Sequence, residues 1–280
     1  LSIGLLFGTM RLHFKFISVL LGLTLLPLAW FIHALHDGTV TVREHQFTNP
    51  DLPSIKIAVM GDFHFSEPED LTILGTLKRQ IIKTQPDIIF YVGDYTGRHT
   101  LFDTHTAEDI VKALEALAGP RPTFAVLGNH DNGSLRPSWL DAFEGSNIKL
   151  LENKVSLLEV DNQTLCIVGH GDYFTGEWSP VWLPPHCDQN VLTLTHDPFG
   201  LVAESSEVQH IGFAGHTHCG QFVFPFGWTL YVPTKAPEEM HCGAFQNGAG
   251  GVVTGGLGYT IADLRFGKGA ELNWDLVRIN

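Results

Sequence analysis

The sequence predicts an α/β fold, a layered sandwich of two sheets packed together with helices outside, preceded by an N-terminal transmembrane helix. Three observations predict it. Strand-like apolar runs alternate with helix-periodic segments in the first half of the chain, and the second half is mostly strand-like. Several of those runs end in short clusters of Gly, Asp, Asn and His. A layered α/β fold gathers ligands there, in the loops at the carboxyl ends of its strands. Finally, residues 16–35 contain no Lys, Arg, Asp or Glu.

Twenty helical residues at about 1.5 Å each span the ~30 Å hydrocarbon core of a bilayer. Arg11 and Lys15 precede the run, as in a signal sequence. No small-x-small cleavage site follows it: Trp30-Phe31-Ile32-His33-Ala34 is bulky. A retained membrane anchor is therefore preferred over a cleaved signal peptide or a buried core helix. Met10 has the look of a natural start, which would make residues 1–9 an artefact of the gene boundary. No low-complexity linker or internal repeat divides the remainder, so residues 1–35 are read as the anchor and 36–280 as one domain.

Composition excludes several classes. Of the 280 residues 44% are hydrophobic and 17% charged, which excludes a disordered chain. The net charge is −13, and every acidic residue lies after position 35. No nucleic-acid partner is expected, because counterion displacement needs basic patches. Four cysteines without C-x-x-C spacing exclude a disulfide-dense scaffold and a zinc ribbon.

The elements follow in order. Ile55–Met60 is a strand. Ser66-Glu67-Pro68-Glu69 is a capping box that opens a helix carrying Leu71, Leu74, Leu77 and Ile81. Residues 87–92 form a second strand, apolar on both faces as buried parallel strands are. Thr106 caps a helix with Ile110, Val111, Leu114 and Leu117 on one side, ended by Gly119-Pro120. Residues 123–127 form a third strand and 137–143 a short helix. Residues 149–151, 155–160, 165–168, 191–195, 210–213, 221–224, 252–254 and 271–278 are strand-like. Seven glycines between Gly243 and Gly258 read as turns, since no helix follows to make a phosphate-cradling loop.

The polar clusters carry the chemistry. They are Gly61-Asp62-Phe63-His64, Gly93-Asp94, Gly128-Asn129-His130-Asp131, Thr195-His196-Asp197 and Gly215-His216-Thr217-His218. Carboxylate, imidazole and amide oxygen suit borderline divalent cations such as Mn, Fe or Zn. Seven such donors are too many for one tetrahedral ion and suit two ions bridged by a carboxylate. An isolated D-x-H is usually an ordinary polar residue pair; five clusters at five strand ends are not a chance pattern.

These five clusters, in this order, resemble the calcineurin-like metallophosphoesterase superfamily, from Ile55 to about Gly258. Gly215-His216-Thr217-His218-Cys219-Gly220-Gln221 with an apolar N-terminus is similar to a bacterial membrane-associated branch of envelope phosphodiesterases and UDP-diacylglucosamine pyrophosphohydrolases. The resemblance implies a four-layer α/β/β/α sandwich and two divalent metal ions, Mn, Fe, Zn or Ni, with Mn favoured. It implies that Asp62, His64 and His218 hold one ion and Asn129, His196 and His216 the other. Asp94 would bridge them, and His130 would be the catalytic histidine facing the leaving oxygen. The implied reaction is hydrolysis of a phosphodiester or lipid-linked pyrophosphate by metal-activated hydroxide. UDP-2,3-diacylglucosamine is an alternative substrate, and a catalytically silent membrane-bound scaffold an alternative role. The expected location is a bacterial cytoplasmic membrane with the domain on its outer face, since Arg11 and Lys15 precede the apolar run and only Arg43 follows closely.

One position departs from the family pattern. An acid that often orients the catalytic histidine is replaced by Gly97, so either another acid substitutes or His130 acts as a neutral donor. Asp131 is adjacent to His130 and its direction is open. His170 reads as a turn residue in preference to a substrate contact, and residues 172–185 as an aromatic loop. Cys219 and Cys242 adjoin histidines, which raises a disulfide or a third ligand group; separate buried thiols are the expectation.

Overall fold

The computed structural model describes residues 38–280 apart from 67–70, 98–105, 188, 204–209, 247–249, 261 and 268, and also Leu25 and Leu35. The apolar run at 16–35 otherwise lies outside the described residues, as does most of the capping box at 66–69. Among the described residues, no helix is long and apolar enough to cross a membrane.

The first half of the domain is a β/α alternation. The strands β1 (Thr41–Phe47) and β2 (Ile55–Met60) lead into α1 (Ile73–Thr84), then β3 (Ile88–Tyr91), α2 (Ala107–Ala118), β4 (Thr123–Ala125), α3 (Arg136–Glu144) and β5 (Lys149–Leu150). The second half runs β6 (Lys154–Val160), β7 (Gln163–Gly169), β8 (Val191–Leu194), α4 (Phe199–Ala203), β9 (His210–Ala214), β10 (Gly243–Phe245), β11 (Gly251–Val253) and β12 (Asn273–Ile279). Two six-stranded sheets result, ordered β1-β12-β2-β3-β4-β5 and β10-β11-β9-β8-β7-β6. Strands β2 to β5 are mutually parallel, as are β7, β8, β9 and β11. Their carboxyl ends can therefore gather at one edge of the sandwich.

Period-two alternation decides which side chain faces which layer. Ile57, Val59, Phe90, Val92, Phe124 and Val126 of the first sheet pack against Leu165, Ile167, Leu192, Leu194, Ile211 and Phe213 of the second. The alternate residues Ala58, Met60, Ile89, Tyr91 and Ala125 face outward onto Leu77, Ile81, Ile110, Leu114, Trp139 and Phe143 of α1 to α3. The outer face of the second sheet differs from the expected helical layer. Among the described residues it is covered by the five-residue α4 with the loop around Ala236 and Met240, and by the loop around Val181 and Leu183.

Local signals account for the boundaries. Thr106 and Asp109 form a reciprocal capping box at 3.2 Å in each direction, which starts α2. The β6–β7 hairpin turns on Asp161 (φ 49°) and Asn162 (φ 63°), the two positive φ values that a type I′ turn needs. Two expectations are corrected. Residues 221–224 join neither sheet; they make only isolated bridges, Phe222 with Phe266 and Val223 with Thr229. The glycine-rich 243–258 stretch is not all turn, since β10 pairs with β11 inside it. Strand β1 escaped the apolar pattern because it is a polar edge strand. Its Arg43 (2.8 Å) pairs with the buried Asp275 of β12, and His45 (2.7 Å) hydrogen-bonds it.

Phe90 sits fully buried between the sheets, with ring centroids 5.1 Å from Phe213 and 6.1 Å from Phe124. Phe90→Ala should lower folding stability by about 3–5 kcal/mol. A urea unfolding midpoint equal to that of the parent protein would contradict this sheet-on-sheet packing.

Candidate metal centre

Five strands end at one place. The chain leaving β2 carries Asp62 and His64, that leaving β3 carries Asp94, and that leaving β4 carries Asn129 and His130. From the second sheet, β8 leads to His196 and β9 to His216 and His218. The loops after β2 and β3 are zipped together by Asp62 N–H to Gly93 O (2.9 Å) and His64 N–H to Asp94 O (3.1 Å). Asp62, His64, Asp94, His216 and His218 all have positive φ, between 50° and 69°. Five non-glycine residues in that conformation at one site store backbone strain that the flanking strands must hold. The turn before His216 has no room to spare: a side chain at Gly215 would run into Asp62 Oδ2.

The side chains fall into two groups. In the first, His218 Nε2 lies 3.2 Å from Asp62 Oδ1 and 3.0 Å from His64 Nε2. In the second, His196 Nε2 lies 3.1 Å from Asn129 Oδ1 and 3.2 Å from His216 Nδ1. Asp94 stands between them, with Oδ2 3.6 Å from His64 Nε2 and 3.3 Å from His196 Nε2. The structure thus brings together all seven residues expected as ligands, in the partition the resemblance implies. All but Asn129 are buried.

Hydrogen bonds set the ring orientations. His196 Nδ1 donates to Val92 O at 2.6 Å, and His216 Nε2 donates to Pro233 O at 2.6 Å. Each ring therefore turns its other nitrogen inward, toward where a cation would sit, the usual arrangement behind a metal ligand. His218 differs. Its Nδ1 accepts from the buried guanidinium of Arg265 at 2.7 Å, so in the neutral ring the proton sits on Nε2, where a bound ion would replace it. Sequence reasoning missed Arg265, because nothing local marks it as facing the site.

Burial and neighbouring charge shift these groups in opposite directions. Burial would raise the Asp62 carboxyl, but His218 and His196 together outweigh it and hold the pKa at about 2. Burial would also raise Asp94, and His196 likewise overrides it, to well below the ordinary carboxylate range. Burial drives His64 down to about 3. It would lower His196 too, yet Asp94 raises that ring well above its ordinary value. The site thus presents two buried carboxylates, with imidazole nitrogens crowded to 3.0 and 3.2 Å from one another. Such crowding of donor atoms is what a cation relieves, and the set fits a pair of borderline divalent ions.

His130 lies at the rim, its ring 4.8 Å from that of His64 and perpendicular to it. Its Nδ1 donates to the carbonyl of Gly97 at 3.1 Å. The backbone at Gly97 thus occupies the orienting role for which an acid was expected. A side chain there would collide with Ser66 Oγ. Asp131 does not substitute. It is buried and accepts the backbone N–H groups of Gly128, Asp94, Tyr95 and Thr96 at 2.8–3.3 Å. Burial and Asp94 push its pKa up, yet all four contacts are donors, which a carboxylate accepts and a protonated acid would oppose.

Other expectations resolve as follows. His170 is buried, stacks on Trp178 at 5.3 Å and bonds Ser179 O at 3.1 Å. Phe174 of the aromatic loop covers His216 at 5.0 Å. The cysteines are corrected: none is a free thiol, and Cys166 pairs with Cys187 and Cys219 with Cys242. Each partner is remote in sequence but brought close by the sheet, which spacing alone does not reveal. His186 lies beside the first pair, but disulfide sulfurs offer no thiolate to an ion.

Residues 55–220 match the calcineurin-like phosphoesterase family, a span that holds all eight site residues. The chain belongs to that family. It is 26% identical over 212 residues to the phosphodiesterase YaeI of Escherichia coli, covering 73% of this chain and 76% of that one. An uncharacterized metallophosphoesterase of Bacillus subtilis, YkuE, is 24% identical over 241 residues, 83% of each chain. The UDP-2,3-diacylglucosamine pyrophosphatase LpxG of Chlamydia trachomatis is 22% identical over 235 residues, 65% of this chain and 68% of that one. The family is one of hydrolases, and this member is a metallophosphoesterase.

Asp94 is the one side chain shared between the two groups. Asp94→Asn should therefore lose most of the bound metal, measured by elemental analysis of purified protein. Two ions per chain retained in the variant would sink the bridging assignment.

Proposed function

We propose that this metallophosphoesterase hydrolyses a phosphodiester, using two divalent ions held by Asp62, His64 and His218 and by Asn129, His196 and His216, with Asp94 shared. Mn is the favoured ion. The observation that carries the reading is the position of Asp94 Oδ2 between two groups of imidazoles drawn from both sheets. Bound there, divalent ions supply charge neutralisation at the phosphoryl oxygens and a water acidified toward neutral pH.

The protein's own residues orient and finish the reaction. Asn129 and His130 follow one another at the end of β4, so one backbone turn sets both a ligand and the group beside the leaving oxygen. With Nδ1–H held by the Gly97 carbonyl, neutral His130 presents Nε2 as an acceptor. His130 therefore stands beside the leaving oxygen with its ring tautomer fixed. Among the described residues, a cavity of about 960 Å³ lined in part by His64 and Gly97 lies next to the site. Such room favours a substrate with a bulky group on its phosphate over a bare phosphate.

The disulfides support an outward location. Paired cysteines persist in oxidising compartments and are rare in the cytosol. With residues 16–35 as a single-pass anchor, the domain from 36 onward would stand on the outer face of a bacterial cytoplasmic membrane. There it meets envelope phosphodiesters, and cytoplasmic UDP-2,3-diacylglucosamine is disfavoured. Lipid-linked pyrophosphates of the envelope remain within this substrate class. The silent-scaffold reading is opposed by the retention of every ligand and of His130.

A turnover screen with Mn over bis(p-nitrophenyl) phosphate, UDP-diacylglucosamine and phospholipids tests the reaction. Two ions per chain with no turnover on any of them would favour the scaffold. His130→Ala should keep both metals and lose about 10²-fold in turnover. Unchanged turnover would remove His130 from the mechanism. For orientation, protease should digest the domain on intact spheroplasts. Full protection until detergent is added would place it inside and revive the UDP-diacylglucosamine reading.

A further inference from the structure

Residues 222–232, Phe-Val-Phe-Pro-Phe-Gly-Trp-Thr-Leu-Tyr-Val, carry no charged side chain. They form a tight loop whose base is pinned. Val223 bridges Thr229, Phe224 N–H donates to Trp228 O at 2.7 Å, and Gly227 N–H donates to Phe224 O at 3.1 Å. The Phe224 ring packs on Trp228 at 5.0 Å and on Phe266 at 5.1 Å. At the tip, Phe226 has φ 67° and is wholly exposed. Trp228, Leu230 and Tyr231 beside it are 59%, 64% and 64% exposed. A bulky aromatic at positive φ is costly, and a run of exposed apolar side chains marks a surface that meets something apolar.

We propose that this loop docks on the surface of a lipid bilayer and seats the mouth of the metal centre at the lipid–water boundary. Three observations select a bilayer. First, Leu35, the last residue of the uncharged run 16–35, makes an antiparallel bridge with Phe266, and Phe266 bridges Phe222. Leu35, at the end of the candidate anchor segment, is therefore held at the base of this same loop. Second, Trp and Tyr beside Phe and Leu, without charge, is the composition of side chains that settle at a membrane interface. Third, Tyr231 also lines the metal-centre cavity, and Pro233 O holds His216 Nε2. Bilayer contact at the loop thus brings the site beside the lipid headgroups, and the substrate class becomes a phosphodiester borne by a bilayer lipid. This assignment rests on the anchor reading of 16–35 and on the phosphodiesterase reading of the site.

The test uses the full chain in nanodiscs of phosphatidylethanolamine and phosphatidylglycerol whose acyl chains are brominated. A fluorescent probe is attached at Leu230→Cys, with a control probe at Ser54→Cys. Ser54 is exposed and precedes β2, at the end of the sandwich opposite the metal centre. Bromine should quench the probe at position 230 and leave that at 54 unchanged. An unquenched probe at 230 on discs that retain the chain overturns the docking assignment. So does a probe shielded from aqueous iodide but not quenched by bromine, which would make the loop a contact between copies of the chain. A chain that elutes free of the discs overturns the anchor reading and this assignment with it.

The second arm reads function. Phe226→Asn keeps a residue that tolerates positive φ; combined with Trp228→Ser, it should lower turnover of a vesicle-borne phosphodiester about tenfold. Turnover of soluble bis(p-nitrophenyl) phosphate should not change. An equal loss on both substrates overturns docking. Quenching at 230 in a parent protein that turns over neither substrate supports docking and removes the phosphodiesterase reading alone.

Discussion

The buried carboxylate of Asp94 links the two sheets at the edge where their strands end. One oxygen of Asp94 faces imidazoles from both sheets, and the other accepts the backbone N–H of His130 at 2.9 Å. A charge withdrawn from water must be matched by partners, so the positions of His64 and His196 follow from it. Asp131 then fixes the carboxylate from behind by accepting the N–H of Asp94 and of its next two neighbours. The positive φ values at five of the seven donor residues follow from the same demand. Each strand must end in an abrupt turn so that its polar side chain points back into the shared space.

Most of this architecture was legible because it lies in contiguous segments. An apolar run followed by Gly-Asp or Gly-His states both the strand and the polar end of it, which is why β2, β3, β4, β8 and β9 and all seven expected ligands could be located. What was not legible depends on contacts between remote segments. Arg265 reaches His218 across 47 residues, and the disulfides close loops of 21 and 23 residues. Strand β1 is hidden for another reason: an edge strand is half solvated, so its sequence carries Arg43, Glu44 and His45 where apolar alternation would be sought. Residues 221–224 mislead in the opposite sense. Their aromatic character signals a strand, but the apolar surface is spent on a projecting loop.

Gly97 shows how a departure from a motif can be compensated by backbone. The resemblance implies an acid beside His130, and the sequence offers Asp131 nearby. In the fold, Asp131 is committed to four N–H groups, and the carbonyl of Gly97 itself meets His130 Nδ1. Ser66 fills the space that a side chain at 97 would need, so the absence of the acid and the placement of Ser66 are coupled. The carbonyl fixes the ring tautomer as an acid would.

The segment carrying His216 and His218 is the most strained in the site and also the most firmly held. His216, His218, Cys219 and Gln221 all have positive φ. Cys219 is tied to Cys242, and the Arg43 guanidinium donates to the sulfurs of both at 3.4 and 3.1 Å. Arg265 donates to the carbonyl and the ring of His218, and Gln221 Nε2 bonds the carbonyls of Ala262 and Leu264. Covalent, hydrogen-bonded and amide contacts thus hold four residues in a conformation their own backbone disfavours. The uncharged 222–232 loop begins at the next residue, so no slack lies between the ligands and the exposed aromatic tip. The Pro233 carbonyl closes the far end of the same loop onto His216. Anchored to the site at both ends, the loop has a fixed attitude toward the metal centre. Whatever surface it rests on therefore sets the direction from which a phosphoryl group approaches Asp94.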